Sequence, residues 1–493
     1  MRLAGAMSVV LQGGRVVDPA AGTETVADVL VDDGRVAAVG PGLDGDVTVD
    51  VTGLVVGPGF VDVHSHADSV AGHRVKAMDG VTTTLELEAG RLPVAAAYGR
   101  AVADGRPLNF GFSASWAVAR AVAHLGPAWA GALPLGVLGD PGWQRSSTPA
   151  ERRGWLRLLQ EQVEDGALGI GVLLGYAPAS DPSEFVALAR LAAEAGVGVF
   201  THTREPLEID PSGPIDGPGE LVLAADATGV RMHQCHVNST ALRHVDRVLA
   251  DLERARAAGS TVTVEAYPYG AGSTAVGAVF LDPDYLRARG TRPDQIVLLP
   301  SGERVADARR LREVRAMDPA MLCVIEYLDE SDPADRDLLE RSLVHPDAIV
   351  ASDSMPVVWP DGSTDTRAWP LPPGGLTHPR TAGTYGRALR RLVRETGRWD
   401  WVEAFRRCSY LPARLLDFAP GARRKGRLAP GADADLVVLD PLTISDAATY
   451  RDPLRPSTGV RHLLVNGTFV VRDGELDPAA HPGRPLRGEA RRA

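Results

Sequence analysis

The feature that most constrains the fold is a series of eight apolar, β-rich runs that alternate with helix-like stretches. The runs occupy residues 59–66, 81–88, 108–115, 168–174, 196–203, 230–237, 261–269 and 348–353. Strands that read as continuous apolar runs, with helices between them, are typical of a parallel sheet covered on both faces. Eight such units in succession predict a (β/α)₈ barrel of the TIM type.

The regions outside these runs predict the rest of the domain organisation. Residues 1–56 and 418–476 both read as short strands with turn signals, so we expect a small β-sandwich built from both termini around a barrel at 57–417. The long interval before the eighth run predicts a lid or inserted subdomain at about 276–345. Residues 477–493 are polar and predict a disordered tail. Met7 directly precedes the first strand-like segment and is an alternative translation start.

Composition excludes several classes of protein. The net charge of -11 gives no support to nucleic-acid binding, which normally requires a basic face. The three cysteines, Cys235, Cys323 and Cys408, are far apart in the chain and predict no disulfide framework, which fits a reducing cytoplasm. We find no apolar run long enough to span a membrane and no signal-peptide segment. The sequence therefore predicts a cytoplasmic protein that binds no nucleic acid and spans no membrane, and it leaves a homo-oligomer open.

Several of the predicted strands end in polar residues, which is where active sites of this fold lie. His64 and His66 close the first run, and residues two apart on a strand point to the same face. His202 and His236 stand at the ends of runs five and six, and imidazole suits zinc and similar metals. Asp353 ends the eighth run, where a carboxylate can take a proton from an attacking water and pass it to a leaving nitrogen. A turn or helix cap is the alternative explanation of Asp353.

This arrangement of histidines and aspartate resembles the amidohydrolase superfamily and, more narrowly, its N-acyl-D-amino-acid deacylase branch. The resemblance spans nearly the whole chain. It is carried by GPGFVDVHSHAD, GVTT, GALGIGVLLGYAP, THTRE, QCHVN, EAYPYGAGST, ASD, HPRTAGTYGRAL and GRLAPGADADLVVLD.

The resemblance implies roles for particular residues. It makes His64, His66, His202 and His236 metal ligands, and it makes Asp353 both a further metal ligand and the general base and acid. Tyr267 would donate a hydrogen bond to the developing oxyanion, and Arg380 would bind the substrate carboxylate with its bidentate guanidinium. Tyr176 and Ser273 would line the pocket. Simple packing remains an alternative for Tyr267, and a surface position for Arg380.

The chain departs from the family pattern at the ligand that bridges two metals. Many relatives use a carboxylated lysine near strand four, but the only lysines here are Lys76 and Lys425, and neither lies there. The D-aminoacylases use a cysteine after strand two, and Ala89 occupies that position. Glu88 is our first choice for a carboxylate ligand or bridge and Glu86 our second, since a buried carboxylate requires a partner. If neither serves, the site holds a single metal.

A second departure concerns recognition of the substrate. Relatives commonly carry a lysine two residues after the strand-six histidine, where this chain has Asn238. Asparagine is neutral, so either Arg204 or Arg380 would bind the substrate's anionic group, or the substrate differs.

The predicted function is metal-dependent hydrolysis of the amide C–N bond of an N-acyl amino acid, of D configuration, by attack of metal-bound hydroxide. The cofactor would be zinc, as one or two divalent ions, and the substrate would bear a carboxylate. One alternative is a mononuclear deaminase of an amino-heterocycle, because His202 and Glu205 have the HxxE spacing that such enzymes use. A cyclic amide hydrolase and a barrel that binds a ligand without chemistry are two further hypotheses.

Overall fold

The computed structural model describes residues 7–131, 137–299 and 301–489. The strands are β1 (Val9–Asp18), β2 (Thr23–Asp32), β3 (Arg35–Gly40), β4 (Val47–Asp50), β5 (Val55–Pro58), β6 (Phe60–Asp62), β7 (Val81–Arg91), β8 (Asn109–Ser115), β9 (Ile170–Leu173), β10 (Gly198–His202), β11 (Arg231–Gln234), β12 (Val262–Ala266), β13 (Ala271–Ala275), β14 (Ile296–Leu298), β15 (Leu322–Glu326), β16 (Ala348–Val350), β17 (Leu436–Leu439), β18 (Val460–Val465), β19 (Thr468–Arg472) and β20 (Glu475–Leu476).

The α-helices fall mainly between the strands of the predicted barrel. They are α1 (Val70–Ala77), α2 (Val94–Asp104), α3 (Trp116–Leu125), α4 (Pro141–Gln144), α5 (Pro149–Glu164), α6 (Pro182–Ala195), α7 (Gly217–Thr228), α8 (Val237–Thr240), α9 (Val245–Ala257), α10 (Pro283–Ala288), α11 (Ala308–Met317), α12 (Pro333–Val344), α13 (Arg380–Leu389), α14 (Trp401–Phe405) and α15 (Leu411–Leu415). Helices α5 and α6 begin at full capping boxes, Thr148 with Glu151 and Asp181 with Glu184. Such boxes satisfy backbone N–H groups that a helix start leaves free.

The central sheet has eight strands in the order β6-β7-β8-β9-β10-β11-β12-β16, which is the chain order. Pairs such as β9 with β10 and β10 with β11 are parallel. Strands β8, β9 and β10 are buried along their whole length, as their continuous apolar sequences require. The eight predicted runs therefore correspond to these eight strands, and the predicted barrel is confirmed.

The first and last strands of this sheet approach each other, so the barrel is nearly closed. Ser65 forms a parallel bridge with Ser354, just beyond the ends of β6 and β16. The His66 N–H donates to the Ser354 carbonyl at 2.8 Å. Candidate site residues on both strands are therefore fixed by backbone pairing.

Among the described residues the chain forms two compact units. Unit 1 comprises residues up to 85 together with 100–111 and 349–486. Unit 2 comprises 86–99, 112–348 and the residues from 487 onward. The candidate site residues divide between the units: His64, His66, Asp353 and Arg380 belong to unit 1, and Glu88, His202, His236 and Tyr267 belong to unit 2.

Unit 1 contains a second sheet, of nine strands, built from both ends of the chain. Its order is β20-β19-β18-β17-β5-β1-β2-β3, with β4 paired to β1. The predicted small domain built from both termini is confirmed as a sheet domain, in which β17 pairs antiparallel with β5, from Leu436↔Pro58 to Leu439↔Val55. The strands of the two termini thus join in a single sheet. A buried cluster that includes Val16, Val56 and Leu464 forms its core.

The interval between β12 and β16, in unit 2, carries additional structure. Strands β13 and β14 both pair antiparallel with β15, in a three-stranded sheet. This sheet begins at Ala271, a few residues before the predicted boundary of 276. Helix α12, at the end of the predicted insert, packs on α9 and β12 of the barrel. The additional structure is thus shorter at its C-terminal end than the sequence predicts.

The C-terminal segment differs from its predicted disorder over its described part. In unit 1 the Leu486 N–H donates to the Phe110 carbonyl at 2.7 Å, and Leu486 is buried. In unit 2 the Arg487 guanidinium lies 4.0 Å from the centre of the Tyr98 ring. Backbone pairing and this cation–π contact order a polar sequence that composition alone assigns to disorder. Residues 490–493 of the predicted tail lie outside the described residues.

Within the described ranges, no helix is long and apolar enough to cross a membrane.

Candidate metal clusters and active site

The first candidate cluster, in unit 1, consists of His64, His66 and Asp353. The two imidazole rings are T-shaped, with centroids 5.1 Å apart. Asp353 Oδ1 lies 3.4 Å from His64 Nε2 and 3.5 Å from His66 Nε2. The three ligand atoms lie within 4.8 Å of one another. Two imidazoles and a carboxylate at this spacing match the donors that zinc prefers.

Asp353 adopts a backbone conformation that few non-glycine residues take. Its φ of 47° lies in the left-handed region, which costs a non-glycine residue on the order of 1–3 kcal/mol. Such a conformation persists only where surrounding contacts impose it. The residue before it, Ser352, is held by Asp62 through both its backbone N–H and its hydroxyl.

Asp62, Lys76 and Ser352 form a buried polar group, here called the seam network, at the junction of β6 and β16. Asp62 Oδ1 accepts the Ser352 N–H at 3.0 Å and the His64 N–H at 3.3 Å. Asp62 Oδ2 accepts the Ser352 hydroxyl at 2.6 Å and is paired with the Lys76 ammonium. One carboxylate therefore fixes the backbone beside both His64 and Asp353.

Arg380 begins α13, and its side chain is fully buried. Its Nη2 lies 2.9 Å from Asp353 Oδ2, on the oxygen opposite the one that faces the histidines. The sequence predicts that Arg380 binds the substrate carboxylate, and this stays a prediction; in the structure one end of its guanidinium contacts Asp353. An adjacent positive charge stabilises the ionised form of a carboxylate.

The second candidate cluster, in unit 2, consists of Glu88, His202 and His236. Glu88 Oε1 lies 3.1 Å from His202 Nδ1 and 2.8 Å from His236 Nε2. The two rings are 4.6 Å apart at 71°, and all three residues are buried. The ligand atoms lie within 4.8 Å of one another. Glu88, the carboxylate that the sequence favours, therefore lies together with the predicted histidines of strands five and six.

Glu86, the second choice, has other partners although it lies on the same strand. Its Oε2 accepts from Arg91 Nη1 at 3.1 Å, and its Oε1 accepts the Ala89 N–H at 3.2 Å. These contacts stabilise a buried carboxylate without a metal.

His236 is held by two neighbours that no sequence motif identified, Glu265 and Ser239. Its φ is 30°, and its N–H donates to Glu265 Oε1 at 3.3 Å. Glu265 Oε2 lies 2.9 Å from His233 Nε2. Ser239 Oγ lies 3.0 Å from His236 Nδ1, the ring nitrogen that faces away from Glu88. Such contacts orient a metal-binding imidazole and fix its tautomer. Glu265 carries the signal that identified Glu88, an acidic residue inside a buried strand.

Tyr267 follows β12, is buried, and belongs to a hydrogen-bonded group with Asn238 and Tyr327. The Tyr327 hydroxyl lies 2.9 Å from the Tyr267 hydroxyl and accepts from Asn238 Nδ2 at 2.9 Å. Asn238 Oδ1 accepts the Tyr267 N–H at 3.3 Å. Asn238, predicted to face the substrate, thus fixes the tyrosine segment. Tyr327 comes from the inserted segment, and no local sequence pattern identifies it.

Tyr176 and Ser273, the predicted lining residues, occupy neighbouring positions in unit 2. The Tyr176 ring lies 4.7 Å from the His202 ring, and its hydroxyl is 2.8 Å from Thr274 Oγ1. Ser273 is the residue before Thr274 on β13, where it pairs with Val324. Tyr176 therefore covers a candidate metal ligand directly.

Arg204, an alternative for anion recognition, is engaged by the protein itself. Its Nε donates to Glu220 Oε2 at 2.8 Å, and its Nη2 donates to the Ser180 carbonyl at 2.8 Å. It also donates to the carbonyl of Pro178. A guanidinium with these partners anchors the loop after β10.

Both clusters fit a divalent metal ion by the chemistry of their donors. Each combines two imidazoles with one carboxylate, and most of these side chains are buried. Buried carboxylates and imidazoles grouped in this way are costly unless they are paired or coordinate a metal. The mixed nitrogen and oxygen set is suited to zinc.

The barrel fold and the two metal clusters are those of a metal-dependent hydrolase. The match to a known protein family agrees with this class. Residues 47–471 match the Amidohydrolase family model Amidohydro_3, and the chain belongs to this family. It is 30% identical to an N-acyl-D-glutamate deacylase of Alcaligenes xylosoxydans xylosoxydans, over 98% of this chain and 97% of that protein. It is 28% identical to an N-acyl-D-aspartate deacylase of the same organism, over 97% of this chain and 94% of that protein.

A solved structure shares the whole fold. The N-acyl-D-glutamate deacylase of Bordetella bronchiseptica is 27% identical, with a TM-score of 0.75, over 98% of this chain and 100% of that chain. That enzyme was crystallised with zinc and a phosphonate inhibitor that mimics the tetrahedral intermediate of its reaction. The resemblance to the deacylase branch, inferred from the sequence motifs, is confirmed.

Proposed function

We propose that this chain is a zinc-dependent hydrolase that cleaves the amide C–N bond of N-acyl-D-amino acids. The observation that carries the proposal is the pair of buried clusters, each of two histidines and a carboxylate, at the C-terminal ends of barrel strands. Active sites of this fold lie at those ends. Relatives aligned over nearly the whole chain are N-acyl-D-amino-acid deacylases.

We propose that each cluster holds one divalent ion, with Glu88 supplying the carboxylate in unit 2. Glu88 contacts both His202 and His236, whereas Glu86 on the same strand is paired with Arg91. A zinc ion at such a site polarises a carbonyl oxygen and lowers the pKa of water.

Asp353 is the proposed proton carrier. Its Oδ1 faces the two histidines while its Oδ2 is held by Arg380, so one oxygen is oriented toward the cluster. We propose that Oδ1 accepts a proton from the attacking water and delivers it to the departing nitrogen, as a general base and then a general acid. Arg380 fixes the orientation and charge of this carboxylate.

Tyr267 is the proposed oxyanion donor. Its hydroxyl is positioned by Tyr327 and its backbone by Asn238, so the phenol is preorganised. A donor held in place before the reaction stabilises developing charge without reorganisation. Tyr176 and Ser273 complete the proposed pocket wall, and we propose that the substrate carries a free carboxylate.

The first experiment measures release of free amine from N-acetyl-D- and N-acetyl-L-amino acids by zinc-loaded protein. A D-amino acid should be hydrolysed well above its L enantiomer. Ammonia release from aminopurines and ring opening of cyclic amides, measured alongside, represent the deaminase and cyclic amide hydrolase hypotheses. Turnover of only those compounds would reject the proposal.

The second experiment measures zinc per chain by elemental analysis. Wild type should hold two ions, and Glu88→Ala should lose one or both, because that variant removes a ligand. Glu86→Ala is the matched control, two residues away on the same strand, and should keep the wild-type content. Unchanged zinc in Glu88→Ala would refute the role of Glu88.

The third experiment tests Asp353. Asp353→Asn keeps the size of the side chain but removes its basicity, so kcat should fall by roughly 10²-fold or more while the circular dichroism spectrum is unchanged. Activity within a few fold of wild type would reject its role as proton carrier.

A further inference from the structure

The inserted segment of unit 2 contacts a candidate metal ligand through an aromatic ring. Phe280 lies in a short 3₁₀ turn, Val279–Leu281, after β13. Its ring stacks on the His202 imidazole, with ring centroids 5.8 Å apart and an angle of 13° between the ring planes. Phe280 also packs on Tyr176, with ring centroids 4.9 Å apart, and Tyr176 covers His202 as well. The His202 imidazole therefore packs against two aromatic side chains.

This packing leaves the imidazole of His202 little freedom to rotate. Gly175 approaches the ring so closely that a Cβ at this position would lie 2.7 Å from His202 Cδ2. The Tyr176 hydroxyl lies 2.8 Å from Thr274 Oγ1, which fixes the tyrosine ring. His202 Nδ1 itself contacts Glu88 Oε1 at 3.1 Å. A metal ligand that is held from several sides keeps one rotamer, which a preorganised metal site requires.

Phe280 is in turn held by an ion pair. The Arg289 guanidinium lies 5.2 Å from the centre of the Phe280 ring. The same guanidinium is paired with Glu205 Oε1, and the two charged side chains are each only 11% exposed. A guanidinium at this distance from an aromatic ring makes a cation–π contact, which is stronger when the cation is shielded from water. The Glu205 carboxylate fixes the position of that cation.

Both members of this ion pair stand on backbone that is itself hydrogen-bonded. Arg289 follows the last residue of α10, and its N–H donates to the Tyr285 carbonyl at 3.1 Å. Glu205 comes three residues after His202, and its carbonyl accepts the Gly217 N–H at 3.2 Å, where α7 begins. The sequence singles out Glu205 by its HxxE spacing, and the structure gives its carboxylate a partner in the inserted segment. The ion pair therefore joins the end of α10 to the loop that follows the metal ligand.

We infer that Phe280 and the Glu205–Arg289 ion pair are positioning residues of the metal centre, which hold the His202 imidazole in the orientation that binds the ion of the second cluster. The inference rests on the proposed function, which places an ion there. Glu205 holds Arg289, Arg289 holds the Phe280 ring, and Phe280 packs on the imidazole. Loss of any one of the three should loosen His202 and speed the release of the ion, although no ligand atom is removed.

The test measures how fast an excess of chelator removes zinc from the zinc-loaded full chain, after zinc per chain has been determined by elemental analysis. Glu205→Gln removes the charge that holds Arg289 and should accelerate the release of one bound ion about fivefold or more, because the cation–π contact is weakened. Phe280→Leu should have a similar effect. Glu184→Gln is the matched control and should leave the rate unchanged, because Glu184 is a buried carboxylate of unit 2 that is paired with Arg120 instead.

A double variant separates positioning from a general loosening of the fold. If Glu205 acts through Phe280, the combination of Glu205→Gln with Phe280→Leu should release zinc no faster than the faster single variant, whereas independent effects would multiply. Arg289→Met breaks the same ion pair from its other end. It should match Glu205→Gln, and it takes the place of that variant if Glu205→Gln does not fold.

Release rates within about twofold of wild type in the folded single variants would overturn the inference. So would multiplied effects in the double variant, or an equal acceleration in Glu184→Gln, since either result indicates general loosening. A wild-type chain that binds no zinc would overturn both the inference and the proposed metal centre. The release rates require no substrate, so a zinc-loaded chain that hydrolyses no N-acyl-D-amino acid would refute the proposed reaction alone.

Discussion

The seam network offers a quantitative test of how the barrel holds its candidate site. The side chains of Lys76 and Asp62 are 1% and 0% exposed, and the pair is bonded to Ser352 at the junction of β6 and β16. Removing one partner of a buried ion pair leaves an uncompensated charge and costs about 3–5 kcal/mol. Lys76→Met and Asp62→Asn should each lower the free energy of unfolding by this amount. The double variant should lose less than the sum, since it leaves no unpaired charge.

The assay is equilibrium urea unfolding of the metal-free chain, followed by near-ultraviolet circular dichroism. The coupling between Lys76 and Asp62 should be about 1–3 kcal/mol. Lys425→Met combined with Asp62→Asn is the matched control, because Lys425 is a buried lysine that pairs with Asp433 and Asp435 instead. That combination should be additive. Additive losses for Lys76→Met and Asp62→Asn would refute the idea that the two residues act as one buried pair.

Three further predictions concern single residues. Burial raises the pKa of Asp79 from 3.8 to about 7, so the folded chain binds the proton more tightly than the unfolded one. Stability should therefore fall as pH rises from about 4 to about 7, by at most about 1.4 kcal/mol per pH unit, and Asp79→Asn should flatten this slope in urea unfolding. Ser239→Ala removes the contact to His236 Nδ1 and should weaken zinc binding about 10–100-fold, as measured by competition with a chelator. An unchanged zinc affinity would contradict this prediction. Tyr327→Phe should lower kcat more than it changes KM, because it removes the hydroxyl contact that helps to position the Tyr267 phenol; a change in KM alone would contradict this.

The fold class could be predicted from the sequence because its signal is repeated and local. Most barrel strands are short and largely buried, and GVFTH at Gly198–His202 is buried at every position. Eight such runs constrain the topology strongly, since parallel strands joined by helices have few ways to close. The strands at both chain termini could equally be predicted from the sequence, but sequence patterns do not reveal which strand edges pair with each other. The antiparallel pairing of β17 with β5 into one sheet was decided by tertiary contacts.

Within the candidate site, the sequence determined the donors, and the tertiary structure decided what each one contacts. The spacing of His64 and His66 places both on one strand end, which is a local property. Glu86 and Glu88 have the same spacing and the same burial, so the sequence could only rank them; Arg91 pairs with Glu86, while Glu88 meets two histidines.

The arginines show the same limit of prediction from the sequence, which identifies the residues but not their partners. Arg204 and Arg380 are equivalent as sequence candidates for binding an anion, because each is a guanidinium in a family motif. The structure pairs Arg204 with Glu220 and Arg380 with Asp353. The sequence by itself therefore determined the barrel and the residue types of its metal chemistry, through local periodicity and spacing. Which charges neutralise one another was decided only by the tertiary structure, because electrostatic pairing depends on distances between residues far apart in the chain.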